Sequence, residues 1–583
     1  MDHSKQEWKQ RVSEALGFLA KQSGIDDAAL KGIALVGEFP PKPELGDIGF
    51  PLFGFSKVFR RSPAALASEL ASILANIPAK QGRATAVGPY LNVYLDRETV
   101  TESVLARAAN QDWIPPCSVQ GRKVMVEFSC PNTNKPLHLG HLRNNALGES
   151  LSRILKAAGA DVRKVNLIND RGVHICKSML AYQVYGAGRK PEDEGLKSDH
   201  FVGKYYVLFN QLKAEDPQAE AKAQDLLVRW EAGDPEVMDL WKRMNEWAVE
   251  GIKRTYERQG VGFDAYYFEH LTYSRGVAEV LKGLDTGIFY RDVDGSVWVD
   301  LEDIGLDRKV LLRKDGTSLY ITQDIGTAIQ RHEEWPFQTL VYVVASEQQY
   351  HFKVLFEVLK RLGHGWASDL YHLAYGLVNL PSGRMKTREG TVVDADELID
   401  ELAAMAKAEI AKKGREESVG DTAQVAEKVA LGALHYYLLQ TSPTKDMLYD
   451  PEQSLSFTGD TGPYIQYMGA RASSIIRKAE AADVPRVEAR ASALIGDSDW
   501  ALIRRLAAFG DVLELASRSM EPSVIASYAH DVAADFSVWY RDNPVLSATD
   551  PGLSASRLTL VRSTRATLQV LCHLLCIPFL DLM

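Results

Sequence analysis

The chain has few cysteines: five in 583 residues, at Cys117, Cys130, Cys176, Cys572 and Cys576, and no C-x-x-C pair. Such a set supplies neither a tetrahedral zinc cage nor a disulfide framework, and it fits a reducing compartment. Long apolar runs are also missing. The most extended, Val570 to Leu580, contains His573 and Pro578 and is too short to span a bilayer. The opening residues, Met1 to Glu7, are charged and lack the apolar core of a secretory leader, so a cytoplasmic protein with no membrane contact is expected. Positive charge is not in excess. With 67 basic and 77 acidic side chains the net charge is −10, so any nucleic-acid surface must be local. The phosphate motif Gly-x-x-x-x-Gly-Lys-Ser/Thr is absent, and Gly363-His364-Gly365 lacks the rest of a dinucleotide fingerprint. There is no internal repeat and no low-complexity segment.

What remains is a globular composition, 46% hydrophobic and 25% charged, over a length that predicts three to four domains of about 150 residues. Trp8, Val12, Ala15, Leu16 and Leu19 recur at helical spacing, Ser62-Pro63 opens a second helix, and Val93 to Leu95 reads as a strand. Residues up to about 112 therefore form a small α+β unit, followed by a linker from Trp113 to Ser118 with two prolines. Arg122 to Phe128 is β-rich, Gly140 to Ala158 helical and Val162 to Ile168 β-rich again, which is a βαβ unit and implies a parallel sheet. Thr339 to Val344 and Leu373 to Val378 read as further strands around a helix from Phe352 to Leu362. Between them lies an interruption at about 186–285, where Trp241, Met244, Trp247, Ala248, Ile252 and Tyr256 form a helical stripe best read as core packing. Asp294-Gly295 and Asp315-Gly316 read as hairpin turns. Beyond about residue 395 strands are no longer expected, and patterns such as Leu502, Leu506, Phe509 and Leu513 predict a helical bundle.

The loop Ser129 to Arg143 lies between the first β-rich run and its helix, where open α/β sheets bind nucleotides. His138 and His141 bracket Gly140 at the helix start. A helix N-terminus offers unpaired N–H groups to phosphate, glycine admits a flat base, and imidazoles can donate to a phosphoryl group gaining charge. Lys135 adds a full positive charge one turn upstream. Taken alone, these residues also describe an ordinary helix start.

Pro136-Leu137-His138-Leu139-Gly140-His141 resembles the His-Ile-Gly-His signature of class I aminoacyl-tRNA synthetases, and the longer string from Glu127 to Arg143 resembles the arginyl-tRNA synthetases. Gly383 to Gly390 resembles the second signature of that class, Lys-Met-Ser-Lys-Ser, with Arg384, Lys386 and Thr387 standing where lysine, serine and the second lysine are usual. Many arginyl enzymes lack that second lysine, and a lysine before the first motif is thought to replace it; Lys135 has that place. The resemblance implies catalytic roles for His138, His141, Lys135, Arg384, Lys386 and Arg388, leaving open which basic residue touches phosphate. It implies ATP contacts for His138, Gly140, His141, Glu347 and Met385. Glu127, Ser129, Asn132, Tyr320, Asp324 and Gln348 are implied for the amino acid, because a guanidinium with five donors calls for carboxylates in bidentate geometry. Glu347 or His351 is expected to face the nucleoside, whereas Asn169 to His174 is given no role.

The string Gly462 to Arg471 resembles the family's anticodon-binding bundle and puts Tyr464, Tyr467 and Arg471 on one helical face, a chemistry suited to unstacked bases. His530, Phe536, Tyr540 and the last residue, Met583, are implied at the same tRNA site, and Asn92 at a second contact in the N-terminal unit. The expected fold class is α/β: a Rossmann-like parallel-sheet catalytic domain at 113–400, an N-terminal α+β domain at 1–112 and a C-terminal all-α anticodon-binding bundle at 401–583. The implied activity joins L-arginine to the 3′ end of tRNA(Arg), with ATP and Mg²⁺ as the substrate complex, no protein-bound metal and a monomeric chain. The alternatives are a class I enzyme for another amino acid and a synthetase-derived tRNA-binding protein without catalysis.

Overall fold

The computed structural model describes residues 4–38, 40, 43–76, 82–110, 113–380, 393–414, 420–482, 487–494, 496–546 and 550–583. The N-terminal unit packs the helices Ser4–Gln22 and Pro63–Leu74 over an antiparallel sheet of β1 (Ile48–Pro51), β2 (Arg83–Val87) and β3 (Tyr90–Tyr94), with β3 central. Ser62 caps the second helix by accepting from the Ala65 N–H, and Pro63 at its first turn loses no helical hydrogen bond. The core beneath is Trp8, Leu16, Phe50, Leu66, Leu70 and Val93. The linker residue Trp113 packs on Phe509 of the C-terminal helices, ring centroids 4.9 Å apart.

The middle of the chain holds the parallel sheet. β4 (Lys123–Glu127), β5 (Asp161–Ile168) and β6 (Ala265–Phe268) lie in succession to one side, and β10 (Thr339–Ala345) and β11 (Leu370–Tyr375) to the other, all parallel, in the order β11-β10-β4-β5-β6. Strand order reverses between β4 and β10, and the crevice at the carboxyl ends of these two strands is where such sheets bind ligands. Between β6 and β10 lies a small antiparallel sheet of β7 (Tyr290–Arg291), β8 (Val297–Val299) and β9 (Lys309–Leu312), turned at Asp294-Gly295 as expected.

Two strands differ from expectation. β6 falls inside the stretch read as an interruption, so the inserted helices end at Gln259 and the chain then returns to the sheet edge. The strand expected at Leu373–Val378 begins at Leu370 and stops at Tyr375; Val378-Asn379 forms a separate short strand, β12, paired with β13 (Met447–Leu448) in the region expected to be purely helical.

The helix Leu139–Ala157 lies close over the sheet. A Cβ on Gly148 would sit 2.1 Å from Phe128 Cγ, so only glycine permits that approach. Arg143, fully buried on this helix, donates to the carbonyls of Gly376 at 2.5 Å and Lys445 at 2.9 Å. It thereby ties the helix to the chain leaving β11 and to the loop before β13. The C-terminal bundle contains the helices Thr422–Gln440, Gly462–Ala481, Asp497–Ala507, Phe509–Ser519, Pro522–Asp542 and Pro551–Leu574, with Leu506, Leu513, Phe536 and Leu568 fully buried. Among the described residues no helix is long and apolar enough to cross a membrane.

Candidate active site and nucleic-acid interface

Beyond β4 the backbone turns sharply. Ser129 and Cys130 both adopt left-handed φ, +74° and +47°, which non-glycine residues seldom do. Asn144 Oδ1 accepts from the Ser129 N–H at 2.5 Å and Asn166 Oδ1 from the Cys130 N–H at 3.1 Å, so buried side chains hold the strained turn. Ser129, expected at the amino acid, directs its hydroxyl to Tyr256 Oη at 2.6 Å instead. In this structure it supports the turn from behind. Asn132 is exposed at the crevice and backbone-paired with Asn169 at the end of β5.

His138 and His141 cap their helix reciprocally. His138 Nδ1 accepts from the Gly140 N–H at 3.1 Å, and His141 Nδ1 accepts from the His138 N–H at 3.2 Å. The rings lie 3.9 Å apart between centroids. Burial lowers the pKa of His138 to about 4, with the Lys135 charge adding to the effect, and burial followed by the neighbouring ring and Lys135 lowers that of His141 well below its ordinary value. Both rings are therefore neutral at neutral pH. Because each Nδ1 is an acceptor, each proton sits on Nε2, which makes the pair two neutral donors at a helix N-terminus. Lys135 is half-buried, its pKa lowered by burial, and it makes no hydrogen bond or ion pair among the described residues.

The acidic end of the crevice is built on β4 and on the helix Tyr320–Glu334. Gly276 and Gly326 let that helix cross Glu269–Asp285 at backbone distance; a Cβ on Gly276 would meet Thr322 O at 1.8 Å. Asp324 pairs with His351 at 2.6 Å. Glu127, expected at the amino acid, is buried and ion-paired with Arg331. Burial pushes its carboxyl up, Arg331 pulls it back, and Asp324 pushes it up again, which places Asp324 in its field. Arg331 was not read from the sequence. Its seven-residue spacing from Asp324 puts both on one helical face, the signal that could have revealed it. Glu269, at the end of β6, is a further carboxylate not singled out. Burial raises its pKa to about 7, Arg171 opposing and Asp170 and Asp324 adding.

Tyr320 is 74% exposed at its helix start, and Glu347 and Gln348 are exposed in the turn directly after β10. Glu347 and Gln348 thus stand at the carboxyl end of β10, where the crevice lies. Arg384, Met385, Lys386 and Arg388 lie outside the described residues.

In the bundle, the Arg471 guanidinium lies 5.5 Å from the Tyr467 ring and 5.4 Å from the Tyr540 ring. With Met583 they line a cleft of about 390 Å³. The terminal segment is held there because Asp581 accepts from Arg565 at 2.7 Å and from Ser473 at 2.7 Å. Tyr464 and His530 form a ring pair 5.8 Å apart on the neighbouring surface. Two of the residues expected at tRNA are buried. Phe536 is fully buried and its ring stacks with those of Tyr540 and Trp539, each 6.2 Å away between centroids. Asn92 is 4% exposed on the central strand β3, and its Oδ1 lies 3.2 Å from where a Cβ on Gly49 would stand, so it packs inside the N-terminal sheet.

Three family models match the chain in succession. The model of the class I (R) tRNA synthetase catalytic domain matches residues 103–450, that of the DALR anticodon binding domain residues 465–583, and that of the arginyl tRNA synthetase N terminal domain residues 6–95. The chain is 53% identical to the arginine–tRNA ligase of Treponema denticola over the whole of both chains, and 40% identical to that of Borrelia hermsii over 99% of both. Its fold matches the solved arginyl-tRNA synthetase of Thermus thermophilus with a TM-score of 0.80 at 27% identity, over 99% of this chain and 100% of that one. Such agreement along the full length leaves one assignment, and the chain belongs to the arginyl-tRNA synthetase family.

Proposed function

We propose that this protein activates L-arginine with ATP and transfers the arginyl group to the 3′ end of tRNA(Arg). The observation that carries the reading is the reciprocal His138–His141 cap, with Lys135 beside it and Asp324 and Glu269 across the crevice. In the first step an arginine carboxylate oxygen attacks the α-phosphorus of ATP in line. The new O–P bond forms as the bond to the β-phosphate breaks, and pyrophosphate leaves. The carboxylate is already ionised, so no general base is required. The protein's work is positioning and stabilising charge, through two neutral Nε2–H donors and the Lys135 ammonium. In the second step the ribose hydroxyl at the tRNA 3′ end attacks the activated carbonyl, and AMP leaves.

Mg²⁺ accompanies ATP and spreads the charge of its phosphates. Asp199, His200 and Asp396 are the described group that could surround a metal, but the Lys197 ammonium already lies 3.1 Å from Asp199 and 2.6 Å from Asp396. That donor set does not fit a resident ion, and magnesium arrives with the substrate.

Arginine is selected by carboxylates. An uncharged competitor would leave them unpaired, and lysine keeps the charge but loses the planar fork. Asn132, Tyr320, Glu347 and Gln348 close around the substrates, the 384–388 loop adds charge at the phosphates, and Tyr464, Tyr467, Arg471, His530, Tyr540 and Met583 receive unstacked anticodon bases. The domains divide at about 112 and 400, and the enzyme acts as a cytoplasmic monomer.

The test is aminoacylation of unfractionated tRNA with each of the twenty amino acids in turn. Arginine alone should be charged. A protein that binds tRNA but charges nothing would be a synthetase-derived binder, and the reading would fall. Deleting Met583 together with Tyr467→Ala should lower kcat/KM for tRNA by about 10- to 100-fold, the worth of stacking on one or two bases. Adenylate formation at saturating tRNA should be spared; equal loss of both activities would mean misfolding.

A further inference from the structure

Besides the Ser129–Tyr256 hydrogen bond, the inserted helices touch the phosphate loop directly at two places and reach it through a third. Thr133 Oγ1 donates to Asn245 on the helix Pro235–Gln259. Gly203, on the helix Ser198–Glu215, lies against the loop so closely that a Cβ there would sit 2.7 Å from Pro136 Cδ and 3.5 Å from Lys135 Cα. The third contact is indirect. The segment at 393–395 is backbone-paired with the histidine motif: Leu139 N donates to Val393 O at 3.1 Å, Ala395 N to Leu137 O at 3.0 Å, and His138 is bridged to Asp394. His200 Nε2, from the first turn of Ser198–Glu215, lies 3.2 Å from the Asp394 carboxylate.

That contact belongs to an ionic cluster. Lys197 holds Asp396 and Asp199, Thr255 donates to Asp396, and Arg258 joins Asp396 to Asp400 and Glu427. The Asp199 side chain is fully buried, those of Lys197, Asp394 and Asp396 are less than one-fifth exposed and that of His200 is 26% exposed, so the pairs around Asp394 and Asp396 are largely shielded while Asp400 stays in solvent. Asp394 also caps the helix Ala395–Lys412, accepting from Asp396 N at 2.8 Å and Glu397 N at 3.1 Å.

We propose that the insertion is the buttress of the phosphate site, and that His200 is a positioning residue which, through Asp394, holds His138 and its helix start in register for adenylate formation. The His200 bridge therefore governs turnover more than arginine affinity, since it runs through Asp394 to the histidine motif and not to Asp324. This inference rests on the proposed synthetase activity. Its pH dependence has a defined sign. The Asp394 hydrogen bond raises the His200 pKa, burial opposes, Asp394 and Asp199 charges raise it further and Lys197 lowers it. A raised pKa means the ion pair is complete below the ordinary histidine range and is lost as pH climbs through the raised value.

The experiment is arginine-dependent ATP–pyrophosphate exchange with saturating tRNA, from pH 6 to 9, on wild type, His200→Gln, His200→Lys, Asp394→Asn, the Gln/Asn double variant and Gly203→Ala. Asn keeps the helix cap while removing the charge. His200→Gln and Asp394→Asn should each lower kcat at pH 6.5 by about five- to tenfold, with the arginine KM within about twofold, and the double variant should be no worse than either. His200→Lys should restore kcat and remove the decline on the alkaline side. Gly203→Ala should lower kcat through Pro136 with no change of charge. Full activity of His200→Gln, additive losses in the double variant, or a lysine variant as impaired as the glutamine one would overturn the role of His200. If His200→Gln is lost to misfolding, seen by melting and tRNA affinity, Gly203→Ala decides, and undiminished kcat there overturns the buttress. Wild type inactive with arginine would instead defeat the synthetase reading.

Discussion

Lys135→Ala is expected to lower the rate of arginyl-adenylate formation by about 10²- to 10³-fold, the scale on which a single transition-state donor acts. Tight binding of tRNA should survive, because the cleft at Arg471, Tyr540 and Met583 is on another domain. The ammonium is half-buried and unpaired among the described residues, and burial lowers its pKa. An unpartnered cation in that setting costs folding free energy. It costs less once a phosphate anion is beside it, so its stabilisation is realised with substrate and grows as charge develops in the transition state. Two outcomes follow together. The alanine variant should melt no lower than wild type, and its exchange activity should collapse. A fully active variant would transfer the phosphate role to the 384–388 loop. Lys135→Arg should recover only part of the rate, since a planar fork does not replace a compact point charge.

The sequence carried the elements with strong periodicity and lost those without it. The βαβ unit at 123–168 was readable because β-branched residues cluster on either side of an uninterrupted helical pattern. β6 was missed because Ala265–Phe268 is four residues long and runs straight into a helix at Glu269, leaving no turn signal between them. The β12–β13 pair is two residues on each side, below the length at which alternation exists. At the site the pattern is similar. His138, His141 and Lys135 are neighbours in sequence, and the capping geometry follows from that spacing. The Ser129–Tyr256 contact was not legible, because a tertiary partner 127 residues away leaves no local trace. The burial of Phe536 was not legible either, because its helix buries that face, whereas Tyr540, one turn on, reaches the cleft with Arg471. The Lys197–His200–Asp394 cluster joins segments about 200 residues apart, and only the fold brings them together.

Asp324→Ala should raise the arginine KM by about 10²- to 10³-fold, because truncating one partner of a desolvated charge pair costs about 2–5 kcal/mol and each 1.4 kcal/mol is tenfold. With saturating arginine, kcat should change far less, since Asp324 is remote in role from the phosphates. The argument turns on what is left when Glu127 is already neutralised. Its partner Arg331 is fully buried with it, so the pair adds little net charge to the crevice. Asp324 then supplies the negative charge that a guanidinium meets, and Glu269, whose carboxyl burial raises to about 7, takes on full charge only as that cation approaches. In the structure Asp324 is held by His351, whose ring must share or release the carboxylate when arginine enters. Asp324→Asn separates the two contributions. It keeps a hydrogen-bond acceptor for the guanidinium and removes the charge, so its KM should fall between wild type and alanine. His351→Ala should leave the carboxylate in place and lower the arginine KM modestly, by removing a competitor. An unchanged KM in the Asp324 variants would remove this residue from the amino-acid pocket and leave Glu269 as the carboxylate that selects arginine. The same measurement with lysine as competitor distinguishes charge from shape. Loss of Asp324 should narrow the preference for arginine over lysine, because the acceptor that matches the planar fork is gone.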